Sequence, residues 1–400
     1  MDYSVPQIPD YTINSLIGHG RYGSVYSATH NITNTNVAVK HIYINSCHEH
    51  TVIYHNNQNN NHQTIVNQQL IIPLQVLREM YAMQYLTSIQ SQHCVSLYHT
   101  YVTNNHSVCL IMELMTIDLY CVLKIIKHTK YIISLQLQKY ILYNIILSLI
   151  ELHESNLIHR DIKPSNILLG LNEQHNYVSI KLGDFGLCRV YGYNSTDDTN
   201  TNHATNDTQY NMNTADTNSY THAVATRWYR APELLFGSKH YTQSIDIWSL
   251  GCITAELIDT TINSAESHAL FNGYSDIEQI SCVINTMGSI NNSNMPNCSE
   301  LPDYHKLQFN QSIPCDQWIN ILPVINTYDT SQQNYCIDYM LHTVCYDSEQ
   351  RLNAAQLIKH SFLSDIDTML NTRSVELLQL NNELVQLVQY CIQQQNQSDL

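Results

Sequence analysis

The sequence reads as an α+β molecule of two lobes, strand-rich first and helix-rich after. Residues 11 to 43 carry alternating, β-branched runs joined by glycines: "YTINSLIGHG", "YGSVYSATH" and "TNVAVKHIYI". From Tyr140 onward the apolar spacing is mostly helical, broken by the loop "IHRDIKPSN". Strands gathered first and helices second mark an α+β chain.

The elements follow in order. After the third strand-like run, Asn45 to Gln69 is a low-complexity insertion with too few apolar residues for a core. Its histidines, among them His48, His50, His55 and His62, lack cysteines or carboxylates at metal-ligand spacing. "PLQVLREMYAMQYL" reads as an amphipathic helix with Pro73 near its start, and "SVCLIMEL" as a buried strand. Gly192 to Asn218, rich in Asn, Thr and Asp, reads as a second polar loop. In the tail, Val375, Leu378, Leu384, Val385, Leu387 and Val388 have the spacing of a helix laid on the domain surface.

Composition bounds the function. Of 400 residues, 34 are acidic and 18 basic, for a net charge of −16, which argues against broad contact with a nucleic-acid backbone. The twelve cysteines include no CxxC pair and read as reduced thiols of a cytoplasmic or nuclear protein. The start "MDYSVPQIPDY" lacks the features of a secretory signal, and no apolar run is long enough to span a bilayer. No nucleic-acid or membrane partner is expected.

Several short motifs carry chemistry. "GHGRYGSV" sets Gly18, Gly20 and Gly23 between two strands, where missing side chains let backbone amides approach nucleotide phosphates. A strand follows it, which disfavours a dinucleotide-binding turn. "VAVK" places Lys40 on a strand and "LREM" places Glu79 on the next helix, a pair able to hold an ammonium against phosphates. In "HRDIKPSN", Asp161 can accept a hydroxyl proton, Lys163 can neutralise a transferred phosphoryl group, and Asn166 can ligate a cation through its amide oxygen. "DFG" adds the carboxylate of Asp184, and oxygen ligands suit Mg2+. Singly these motifs are weak. Glycine loop, Lys, Glu, HRDxxxxN, DFG and APE in this order are not.

The chain therefore resembles the eukaryotic protein serine/threonine kinases, first the mitogen-activated and then the cyclin-dependent groups, over roughly Tyr11 to Leu363. "LMTIDLY", "HRDIKPSNILL", "DFGLCRV", "VATRWYRAPELL" and "SKHYTQSIDIWSLGC" carry the likeness. It implies a small N-lobe at 11–115 containing the insertion 45–69. A larger helical C-lobe follows at 116–363, with an activation-loop insertion at 192–218, and then a helical extension at 364–400 packing on the kinase domain. It implies ATP and Mg2+ in the cleft. Ile17, Gly18, Gly20, Gly23, Val25, Ala38, Lys40, Glu79, Met112 as gatekeeper, Glu113, Met115, Asp118 and Leu169 would surround the nucleotide. Asn166 and Asp184 would hold the metal, and Asp161, Lys163 and Asn166 would carry the chemistry. Glu233 and Arg351 match a buried ion pair, Asp246 a carboxylate holding the catalytic loop, and Thr226 a threonine near Asp161.

The resemblance also implies a switch. Thr221 matches a phosphorylatable threonine, with Arg78, Arg160 and Arg189 as phosphate receptor. Ala223 stands where the mitogen-activated group has a tyrosine, while that tyrosine's arginine partners, Arg227 and Arg230, remain. Arg230 is the candidate for a pocket selecting proline after the target residue. Asp365 and Asp367 are candidates for a docking patch, and the tail helix for packing against the small lobe. The expectation is a monomeric, proline-directed kinase acting on Ser/Thr-Pro sites in a signalling cascade, activated by an upstream kinase. The alternatives are a kinase needing a cyclin-like activator and a pseudokinase scaffold.

Overall fold

The structure is a computed structural model that describes residues 5–20, 23–43, 51–54, 70–103, 107–191, 227–259, 269–306 and 318–398. The small lobe is a five-stranded antiparallel sheet. It is built from β1 (Tyr11–Gly20), β2 (Gly23–His30), β3 (Asn36–Tyr43), β6 (Leu97–Val102) and β7 (Ser107–Glu113), in the order β1-β2-β3-β7-β6. Along β2, Ser24, Tyr26 and Ala28 are buried and their neighbours are not, the period-2 signature of a half-covered sheet. Ile8, Tyr26, Ala28, Val37, Val39, Cys109 and Ile111 form a small core of their own, while Ile42, Val108 and Leu110 join the main core.

Two short strands, β4 (Thr51–Tyr54) and β5 (Leu70–Pro73), form an antiparallel pair. The first lies within the insertion 45–69 and the second directly after it. "TVIY" and "LIIP" are β-branched islands beside an Asn-rich run, and composition averaged over that run hides them. Helix α1 (Leu74–Ser88) follows directly from Pro73. Its inner face buries Val76, Leu77, Met80, Met83 and Leu86, together with one acid, Glu79.

The large lobe begins at β8 (Ile117–Asp118). The Asp118 side chain accepts the Cys121 N–H at 2.7 Å and so starts α2 (Leu119–Thr129). Next come α3 (Leu135–Glu154), β9 (Leu157–Ile158), β10 (Ile167–Asn172), β11 (Tyr177–Leu182) and β12 (Arg189–Val190). Beyond the second undescribed stretch lie α4 (Pro232–Leu235), α5 (Ser244–Ile258), α6 (Asp276–Met287), α7 (Trp318–Ile321), α8 (Thr330–Thr343) and α9 (Ala354–Leu357). Every residue from Ile245 to Ile258 is buried, so α5 is a central post rather than a surface helix. Among the described residues, no helix is long and apolar enough to cross a membrane.

Helices α10 (Ser364–Thr372) and α11 (Val375–Ser398) end the chain. The expected site for the tail on the small lobe is not where α11 lies. It packs on α2, α3, β10 and β11 of the large lobe. Leu384, Val385, Leu387, Val388 and Cys391 are buried there, whereas Val375 and Leu378 are exposed. Polar contacts fix the register: Ser134 Oγ donates to Glu383 at 3.0 Å, Tyr140 donates to Asn381 at 3.0 Å, and Tyr131 stacks on Tyr390. The expected docking acids are also engaged internally. Asp365 accepts the buried Lys139 ammonium at 3.0 Å, and Asp367 accepts the Tyr143 hydroxyl at 3.1 Å.

Glu233 and Arg351 form the expected ion pair. The guanidinium donates to both carboxylate oxygens, at 2.6 and 2.9 Å, and lies over the Trp248 ring. Both side chains are buried. Glu233→Ala is expected to cost roughly 3–5 kcal/mol in denaturant unfolding, because Arg351 is left charged and unpaired. Adding Arg351→Met should return much of that loss.

Candidate active site

The glycine hairpin is pinned by strand pairing, with Gly18 opposite Val25 and Gly20 opposite Gly23. At Gly23 a Cβ would fall 1.7 Å from the His41 carbonyl oxygen, so β2 and β3 approach too closely for any side chain. At Gly18 a Cβ would meet nothing nearer than Val25, so the protein itself makes no steric demand for glycine there. Across the sheet Val25 pairs with Lys40 and Ala38 pairs with Met112. Leu169, fully buried on β10, pairs with Ile117 on the opposite side of the cleft. Glu113 ends β7 and leads to Met115, whose side chain lies against Gly170. The apolar candidates thus come from both lobes, while Ile17 is half exposed at the entrance.

Three ionic side chains join helix, strand and loop. Lys40 Nζ donates to Glu79 Oε1 at 2.5 Å and to Asp184 Oδ1 at 3.0 Å. Burial opposes the lysine's charge, but Asp184 and Glu79 outweigh it and raise its pKa above the ordinary value. The nearby ammonium holds Asp184 down to about 2, against the effect of burial. Asp184 adopts a left-handed backbone (φ 58°), which directs its half-exposed side chain from a strained position.

A second group is built on the loop between β9 and β10. Lys163 Nζ donates to Asp161 Oδ2 at 2.7 Å. Asn166 Nδ2 donates to the Asp161 carbonyl at 2.7 Å and to Oδ2 at 3.3 Å. Burial pushes the Asp161 pKa up, and Lys163 opposes it. His159 accepts the Asp161 N–H on Nδ1, so Nε2 carries the proton and donates to the Gly183 carbonyl at 3.1 Å. That bond ties the loop to the residue before Asp184. Asp246, on α5, accepts the N–H groups of His159 and Arg160, each at 2.9 Å, and the ring of His153 at 3.0 Å. Arg160 is held with φ of 72°.

The oxygen donors fit Mg2+. The Asn166 bonds described above all use Nδ2, leaving Oδ1 as the amide's acceptor, and Asp184 supplies an ionised carboxylate across the cleft. Both are hard ligands of the kind this ion takes.

The expected regulatory residues divide. Thr221, Ala223 and Thr226 lie outside the described residues. Arg160 lies over the Tyr241 ring, and Arg189 donates to the Tyr241 hydroxyl at 3.2 Å. Arg78 sits on α1, one residue before Glu79. Arg230 lines a narrow pocket with Asp161, Tyr229 and Ala231. The sequence reading missed Tyr241, and it missed Lys181, whose ammonium meets the Glu113 carboxylate at 2.8 Å and links β11 to the end of β7. It also missed Asp276, which meets Arg227 and Arg230. No local spacing announces these partners.

A two-lobed fold with a glycine hairpin over a Lys–Glu–Asp chain, facing an Asp–Lys–Asn loop, defines a class of nucleotide-dependent phosphotransferases. The chain belongs to the protein kinase family, whose domain model matches residues 11–363. It is similar to cyclin-dependent kinase 20 of Danio rerio, with 30% identity over 354 residues, 88% of this chain and 83% of that protein. The corresponding kinases of Rattus norvegicus and Homo sapiens are 31% and 30% identical over 352 residues, covering 88% of this chain and 82% of each. The chain is a protein serine/threonine kinase of the cyclin-dependent-like group, and its family uses ATP and Mg2+.

One buried acid near the pocket titrates in an accessible range. Glu256 on α5 receives a hydrogen bond from Tyr229, and burial pushes its pKa up to about 8 against the pull of Tyr229 and Lys127. The folded chain therefore keeps a proton that the unfolded chain releases above about 4.5. This group's contribution to stability falls as pH rises from about 4.5 to about 8. Glu256→Gln copies the protonated form. Thermal melts should show a flatter pH profile for the variant, with its advantage over the parent largest above pH 8.

Proposed function

We propose that this chain is an active, proline-directed kinase that phosphorylates Ser/Thr-Pro sites and is switched on by a phosphate at Thr221. One observation carries the reading of activity: the Lys40–Glu79–Asp184 chain and the Asp161–Lys163–Asn166 group are both assembled, on opposite sides of one cleft. A scaffold that only bound nucleotide would not need both.

In this reading ATP supplies the phosphoryl group and Mg2+ offsets its charge. Lys40, oriented by Glu79, holds phosphate oxygens. Asp184 and Asn166 hold the metal, and Val25, Ala38 and Leu169 enclose the base, with Met112 behind it. Glu113 and Met115 offer backbone groups to the base, and Asp118 faces the sugar. Asp161 takes the proton of the substrate hydroxyl, and Lys163 steadies the charge beside it. Burial helps, because a base with a raised pKa is stronger, provided the working pH keeps it ionised. Arg78, Arg160 and Arg189 receive the Thr221 phosphate, and Arg230 shapes the proline pocket. An upstream kinase in a cytoplasmic or nuclear signalling cascade supplies that phosphate.

A second reading adds a protein activator. The outer side of α1 exposes Tyr81 and Tyr85 one turn apart, with Ile89 exposed just past its end, an apolar face of the kind that binds a partner.

The test is phosphate transfer to a peptide library. The parent chain, treated with candidate upstream kinases, should prefer Ser/Thr-Pro peptides. Asp161→Asn should lose about 10²–10⁴-fold in kcat, and Thr221→Ala should not respond to the upstream kinase. Equal, negligible transfer by all three proteins, with or without an added cyclin, defeats the reading of activity. Transfer that appears only with a cyclin selects the second reading.

A further inference from the structure

Arg227 and Arg230 stand one turn apart, joined by an Arg230 N–H bond to the Arg227 carbonyl at 3.0 Å. Two guanidiniums so placed repel each other. Both turn to one oxygen, Asp276 Oδ1, at 2.7 Å from Arg227 and 3.6 Å from Arg230. Asp276 is the first residue of α6, whose Ser275 cap accepts the Glu278 N–H, and the positive end of that helix favours a carboxylate there.

The attachment is wider than one ion pair. Trp228 Nε1 donates to the Gly273 carbonyl at 3.1 Å, and Gln279 Nε2 donates to the Trp228 carbonyl at 3.2 Å. Gly273 N–H returns a bond to Gln279 Oε1 at 2.9 Å, and a Cβ on Gly273 would fall 2.1 Å from the Gln279 nitrogen. The segment from Arg227 to Ala231 is therefore held to the start of α6 by charge and by backbone. Its Arg230 lines the same pocket as Asp161.

We propose that Asp276 is a positioning and selectivity residue, a carboxylate built into α6 that orients Arg230 and cancels part of the positive charge beside Asp161. The proposal rests on the proline-directed reading of that pocket. With Asp276 present, the residue after the phosphorylated one meets a partly neutralised wall, which an uncharged proline fits. Without it, two arginines face the same place and invite an acidic residue. The Asp276 carboxylate needs no phosphorylation, so this part of the substrate site is formed before any modification.

The test compares peptides identical except for Pro or Glu after the target serine. For Asp276→Asn, kcat/KM for the Glu peptide relative to the Pro peptide should rise about tenfold, the size of one charge-assisted hydrogen bond. The change should fall on peptide KM more than on kcat, should fade in high salt, and should be reversed by Asp276→Glu. An unchanged ratio, even with a lowered melting temperature, overturns the proposal, because a merely structural role would weaken both peptides alike. If the parent chain shows no proline preference, the proline-directed reading fails by itself. The shift toward the Glu peptide in Asp276→Asn still decides the role of Asp276.

Discussion

Asp246 is a fully buried carboxylate, and the geometry of the catalytic loop hangs on it. Burial alone would favour its neutral form, yet its pKa is lowered, because His153, His159 and the loop N–H groups all favour the anion. The loop is thereby bolted to α5, the most buried helix. Arg160 can then hold a left-handed backbone that an isolated loop would relax. Asp161 follows in the chain, and His159 carries the same constraint across to Gly183 and Asp184. Asp161 and Asp184 are thus positioned by one carboxylate that touches neither.

The charges of the cleft are arranged in a complementary way. Lys40 lies between two acids, and Lys163 beside a third. Asp184 is kept ionised while half open to solvent, ready for a cation. Asp161 is enclosed, and its raised pKa makes it a better proton acceptor. Two carboxylates in one cleft differ because one has the Lys40 ammonium against it and the other is mainly desolvated.

The motif residues were legible in the sequence because the chemistry demands particular side chains in a fixed order along the chain. Lys40, Glu79, Asp161, Asn166 and Asp184 could be named before any geometry. The Glu233–Arg351 pair was legible by resemblance, although 118 positions separate its members. What could not be read were the partners chosen by packing. Asp276 and Arg227 lie 49 residues apart, and Lys181 and Glu113 lie 68 apart. Each is an ordinary surface charge until the fold brings the two ends together. The β4–β5 pair was hidden for another reason, since four-residue strands vanish in an asparagine-rich average. The tail helix was legible as a helix, but the surface that receives it is a property of α2, α3 and β11.

That surface changes what counts as the domain. The three-stranded sheet β11-β10-β8 has a two-residue third member, too little to stand on its own, and α11 lies against two of its strands. The helix supplies a second layer there, with Leu384, Leu387 and Val388 as its share of the common core. The family match ends at residue 363, but the packed core extends to Cys391 in α11. The family match and the packed core have different borders in this chain. The final helix contributes buried side chains to the same core as the large lobe.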